Sequence, residues 1–153
     1  VLTGHVLASL IQSLASIAVV LGVALALGFR PSAGPVDWLG AVGMLTLFAF
    51  ALIWLATALG LAAKSVETAS NTPMFLTLLP FLGSGFVPTD TMPPGLEQFA
   101  RYQPFTPVTE TVRGLLTGTH MGTNAIAAIA WSIGLIAAAY LWAIHLYTHR
   151  EPR

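Results

Sequence analysis

Charged residues cut this chain into long apolar runs. Four stretches carry no charge: residues 1–29, 38–63, 68–89 and 114–149. Crossing about 30 Å of hydrocarbon at 1.5 Å per residue takes about 20 apolar residues, because every backbone amide must find its partner inside a helix. Residues 6–29, 38–63 and 124–147 meet that length and predict spanning helices. The third run is different. Its apolar part, residues 74–87, contains Pro80, Gly83 and Gly85, so a span over 73–87 is expected to be short, broken or re-entrant.

The connections carry their own signals. Residues 30–37, with Pro31, Gly34 and Pro35, predict a tight turn and an antiparallel hairpin of the first two helices. The polar stretch 64–71 ends at Thr72-Pro73, a cap followed by a first-turn proline, which predicts that the third helix starts there. Residues 88–122 form the longest stretch outside the spans. After Pro93-Pro94, Leu96, Phe99 and Ala100 share a face, with Glu97 and Arg101 paired at i, i+4, as in a short interfacial helix. Thr106-Pro107 then repeats the cap-plus-proline start. Val108, Val112, Leu115 and Leu116 form an apolar stripe, Glu110 and Arg113 pair at i, i+3 on the polar side, and Gly118 ends the helix. The expected fold is therefore all-α: a polytopic membrane protein of one domain, with four transmembrane helices and two short amphipathic helices in an outer re-entrant or interfacial region.

Small residues recur every fourth position at Ala18, Gly22 and Ala26, and at Ala130, Gly134 and Ala138. Such stripes let helices approach closely in lipid; packing within one subunit is the expectation for both, with a seam between two copies as the alternative.

Composition agrees with a membrane protein. Of 153 residues, 56% are hydrophobic and 8% charged, against about 25% charged in a soluble domain. Six basic residues balance six acidic ones, which leaves no electrostatic footprint for nucleic acid. Without cysteine there is no thiolate nucleophile and no Cys-ligated metal. The N-terminal run has no basic lead and is too long for a signal peptide. The absence of an initiator Met suggests the later part of a longer polypeptide.

Catalytic constellations fail on spacing. Ser84, between Gly83 and Gly85, and His145 lie at opposite ends of their segments, about 30 Å apart in depth, so Gly83-Ser84-Gly85 is better explained as a flexible hinge. His145 and His149 share a helix face but lack a third ligand, so no metal is expected. Lys64-Ser65 could end a phosphate loop, yet Ala58 and Ala63 stand where that loop needs glycines. Neither enzyme activity nor cofactor binding is expected of this chain.

One ordered run is more specific. Residues 79–88 (Leu-Pro-Phe-Leu-Gly-Ser-Gly-Phe-Val-Pro), Met92-Pro93, Leu96, Gln103-Pro104-Phe105-Thr106-Pro107, Glu110, Arg113 and Gly118 resemble the later part of type-2 ABC exporter permeases, the class that includes the daunorubicin-resistance permeases. Lys64, Ser65 and Glu67 resemble that class's loop before the penultimate helix. The resemblance implies six helices with cytoplasmic termini, of which these would be the third to sixth. It also implies a dimer of permease copies on separate ATP-binding subunits, in the plasma membrane and surrounded by lipid. It would place Val1, the Lys64 loop and Arg153 in the cytoplasm and residues 88–122 outside, where a three-to-three tie of basic residues decides nothing. By the same analogy Phe75, Leu78, Leu79, Phe81 and Phe86 would line a translocation path for an apolar or amphiphilic drug. Pro80, Gly83, Gly85, Glu110 and Arg113 would belong to an outer gate. The alternatives are a polysaccharide or lipid exporter permease and a non-transporting structural membrane protein.

Overall fold

The computed structural model describes residues 2–149, save the side chains of residues 72 and 73. Val1 and Arg153, used above for orientation, lie outside the described residues, as does Arg150. All regular structure among the described residues is helical: α1 (Leu2–Ala26), α2 (Pro35–Ala62), α3 (Val66–Leu78), a 3₁₀ turn (Leu79–Leu82), a second (Thr89–Thr91), α4 (Pro94–Tyr102), α5 (Phe105–Thr117) and α6 (Asn124–Thr148). Three helices, α1, α2 and α6, are long and apolar enough to cross a membrane.

The ends of these helices follow local chemistry. Gly28 takes φ +99 and donates to the Leu25 carbonyl while Phe29 N donates to Ala24 O, a left-handed cap that stops α1 at Ala26, three residues before the expected end. Pro35 opens α2 and the Asp37 carboxylate accepts from Gly34 N at 3.0 Å. The start expected for α3 at Thr72-Pro73 is wrong. Ser65 caps the helix instead, its hydroxyl accepting from Thr68 N at 3.1 Å with Glu67 in the first turn, so the helix includes the polar stretch 66–71.

Helix α2 is the hub. Met44 and Phe48 pack against Ala128, and Trp54 and Ala58 against Ala139 and Ala143 one level further along, so α2 and α6 run parallel. Trp54 also meets Tyr140 edge to face, with centroids 5.0 Å apart. Val6, at the start of α1, joins the Trp54 and Ala58 end of α2, which makes α1 and α2 the antiparallel hairpin expected. The packed face of α6 is Ala128, Ser132, Ala139 and Ala143, all essentially inaccessible. The stripe expected to pack, Ala130, Gly134 and Ala138, is exposed, as are Ala18, Gly22 and Ala26. A methyl added at Gly22 or Gly134 would meet nothing within 4 Å. Helix α6 is so rich in alanine that two of its faces read as small-residue stripes; the bulk of Met44, Phe48 and Trp54 on α2 selects between them.

Candidate functional site

The site forms where the third segment breaks. Helix α3 has 13 residues and rises about 20 Å, well short of a crossing. Proline at position 80 then removes a donor, and the chain tightens into the Leu79–Leu82 turn, where Gly83 N donates to Pro80 O at 3.2 Å.

What holds the break is the α4–α5 unit. Phe105, the first residue of α5, packs edge to face on Phe48 at the midpoint of α2, with centroids 5.0 Å apart. Further along, Leu115 touches Gly40 and the cap residue Gly118 approaches Ser32. Helix α5 therefore starts halfway along α2 and climbs back to α2's N-terminal end, so α5 folds into the bundle while residues 88–99 stay largely exposed. Val108, Leu116 and Thr111 are buried and Val112 half-buried, while Glu110 and Arg113 face away, as the sequence pattern implies. Gly118, at φ +70, ends the helix.

Three side chains of this unit reach back to the broken segment. Gln103 Nε2 donates to Leu79 O at 3.1 Å. Thr106 Oγ1 accepts from Ser84 N at 3.3 Å and donates to Ala100 O, tying the turn to the end of α4. Arg113 donates to Ser84 O at 3.0 Å and to Glu110 Oε1 at 2.8 Å. Thr106 does not cap α5, as its place before Pro107 suggests; Pro104 stands at the cap, and the Thr106 hydroxyl serves the tertiary contact. Gly83 is no loose hinge either. It is buried, and a methyl there would sit 2.9 Å from Gln103 Nε2 and 3.2 Å from Thr106 Oγ1. Its backbone is extended, at φ −103 and ψ −179, so glycine is needed here for close approach and not for a left-handed turn.

The residues assigned to a path and a gate separate accordingly. Phe75 (75% exposed), Leu78, Phe81 and Phe86 (69%) present an open apolar face, on which Phe81 and Phe86 stack at 5.0 Å with planes 7° apart. Leu79 is half-buried, its carbonyl held by Gln103. Of the gate set, Gly83, Glu110 and Arg113 come together, Pro80 closes the turn beside them, and Gly85 is exposed one residue beyond the clasp. Gln103 and Thr106 have the central roles, which no local signal announces: their partners are 24 and 22 residues away.

Two clefts flank the clasp. An apolar one of about 400 Å³ opens between α1, α2 and α3, lined by Ser13, Ala49, Ile53, Leu76, Pro80 and Phe105. A polar one of about 520 Å³ is lined by Asp90, Arg101, Thr106, Glu110, Arg113 and Asn124. Arg101 bridges Glu97 at 2.8 Å, the pair expected from spacing, and Asp90 at 3.3 Å. Among the described residues no three metal-ligating side chains cluster.

An all-helical membrane bundle with a broken segment clasped by a helical hairpin defines the class, and comparison with known proteins defines the family. Residues 1–117 match the ABC-2 type transporter family, and the chain belongs to it. It is a multi-pass protein of the plasma membrane. It is 28% identical over 98% of its length to the daunorubicin resistance ABC transporter permease protein DrrB1 of Streptomyces coeruleorubidus, covering 53% of that protein. It is 23% identical over 88% of its length to the probable doxorubicin resistance ABC transporter permease protein DrrC of Mycobacterium tuberculosis, covering 49%. The chain thus spans about half the length of the curated relatives it matches. No solved structure matches it.

Proposed function

We propose that this chain is the exit half of an ABC exporter permease, which works as a pair of permease copies on separate ATP-binding subunits and carries an apolar or amphiphilic drug of the daunorubicin kind. The observation that carries this reading is the pair of clefts on either side of the clasp. The apolar cleft suits a substrate drawn from the membrane interior and the polar cleft suits its release into water, with Pro80 lining the first and Thr106 and Arg113 the second. In this reading α3, its 3₁₀ turn and the residues up to Pro93 together make a fourth passage, and the open face of Phe75, Leu78, Phe81 and Phe86 turns toward the route at the second copy. The chain offers no phosphate loop, so the energy comes from its partner, whose ATP binding shifts the permease between inward-open and outward-open populations.

Two measurements test this. Cells producing the full-length permease with its ATP-binding partner should expel daunorubicin, and inactivating the partner's ATP site should abolish the efflux. Efflux that persists without the partner's ATPase would refute the assignment. Sidedness follows from single cysteines at Ser65 and Thr91: in intact cells an impermeant maleimide should label only Thr91→Cys, and labelling of Ser65→Cys alone would invert the topology.

A further inference from the structure

We infer that Thr106, with Gln103 and Arg113, is a releasable clasp: these residues position the broken third segment in a closed state and let go of it when the exit opens. The inference rests on the permease reading above and adds to it the moving part and the residues that hold it.

Three observations carry it. First, every bond of the clasp ends on a main-chain atom of the segment, Leu79 O, Ser84 N or Ser84 O. The segment contributes little packing of its own in return, because Phe81, Leu82, Phe86 and Val87 are all exposed. Second, the clasping side is anchored. Phe105 and Val108 of α5 pack with Met44 and Phe48 of α2, so when the contact breaks it is the third segment that moves. Third, the closed arrangement is incompletely satisfied. Ser84 is 4% exposed and Gln103 5%, and Ser84 Oγ and Gln103 Oε1 are buried with no hydrogen-bond partner among the described residues. A buried polar atom without a partner forfeits its hydration and gains nothing for it, and opening would release both atoms from that burial. The closed state therefore combines bonds that favour it with orphaned atoms that oppose it. That balance keeps two states close in free energy, as a gate driven from a distant ATP-binding subunit requires.

A single cysteine at Ser84 reports the state of the clasp, since both clasp bonds to this residue use its backbone and survive the substitution. The full-length permease, with any cysteines elsewhere replaced, is reconstituted in lipid with its ATP-binding partner, and the rate of N-ethylmaleimide labelling is measured without nucleotide and after trapping with ATP and vanadate. Labelling of Ser84→Cys should be slow without nucleotide and rise about tenfold or more on trapping. Adding Thr106→Val, which removes both bonds of that hydroxyl, should make labelling fast in both conditions, while Thr106→Ser should restore the wild-type pattern. A cysteine at exposed Thr91 should label equally in every case, which controls for reagent access, and elution of the Thr106→Val complex as a single species at the wild-type size in gel filtration verifies that it is folded. If Thr106→Val fails to fold, the nucleotide dependence of Ser84→Cys in the Thr106 background decides alone. Slow labelling in every condition, together with normal daunorubicin efflux, would make the cluster a static wedge and overturn the clasp while leaving the permease assignment standing. A wild-type complex that expels no daunorubicin would remove that assignment, and the clasp with it.

Discussion

The α2–α6 seam and the third segment are both apolar, and they are held in opposite ways. At the seam, alanines and a serine on α6 are fully buried against Met44, Phe48 and Trp54, and no charge takes part. In lipid there is no hydrophobic gain from bringing two apolar helices together, so the seam depends on the close approach that Ala51, Ala58, Ala128 and Ala143 allow. The third segment exposes Phe75, Phe81 and Phe86 and is retained by a few hydrogen bonds to its backbone. Dispersion spread over about four helical turns makes a frame that yields nowhere in particular. A few directional bonds at one point make a contact that can open as a unit.

The largest effect should come from damaging the frame. Ala139→Leu forces the extra bulk of an isobutyl group into a site 1% exposed, packed with Trp54 and Ala58, and overpacking of this kind costs about 1–3 kcal/mol. Membrane abundance of the full-length protein should fall severalfold. Ala138→Leu, one position along on the exposed face, should leave abundance unchanged. Equal loss from both would mean that the seam is misplaced.

Next comes a comparison of two glycines. Gly83→Ala drives a methyl to 2.9 Å from Gln103 Nε2, so the bond to Leu79 O must yield, a loss of about 1–3 kcal/mol where a buried group is left unpaired. Gly22→Ala meets open space in a helix interior and should stabilise by about 0.5–1 kcal/mol. Thermal unfolding of the purified variants should shift in opposite directions.

The smallest effect separates the members of the Glu110–Arg113 pair. At i, i+3 with both side chains partly solvated, the ion pair itself is worth about 0.2–0.5 kcal/mol. Arg113 additionally bonds Ser84 O, whereas among the described residues Glu110 bonds Arg113 alone. Arg113→Gln should therefore reduce efflux clearly while Glu110→Gln stays near wild type, and exchanging the two residues should not restore the loss. Rescue by the exchange would show that the ion pair matters and the Ser84 contact does not.

These contrasts also mark what the amino-acid pattern could express. The stripe of Val108, Val112, Leu115 and Leu116, the Glu97–Arg101 and Glu110–Arg113 pairs and the stop at Gly118 are local relations, and each is found where the spacing puts it. The break at Pro80 was legible because proline acts on its own helix. Ser65 and Thr72-Pro73 both carry capping chemistry, and the choice between them depends on how far the helix must extend back toward α2, which no window of sequence contains. The buried face of α6 depends on a partner helix more than 70 residues earlier in the chain, and the role of Thr106 on a residue 22 positions earlier. Capping preference pointed Thr106 toward α5; the tertiary contact outweighed it.

Amide hydrogen exchange of the full-length permease in lipid tests most directly whether a rigid frame carries a movable segment. Peptides from the centres of α2 and α6 should be the most protected in the chain, and those covering residues 79–93 should exchange about tenfold faster or more, accelerating again when the ATP-binding partner is trapped with nucleotide. Uniform protection across these three regions, unchanged by nucleotide, would contradict the account.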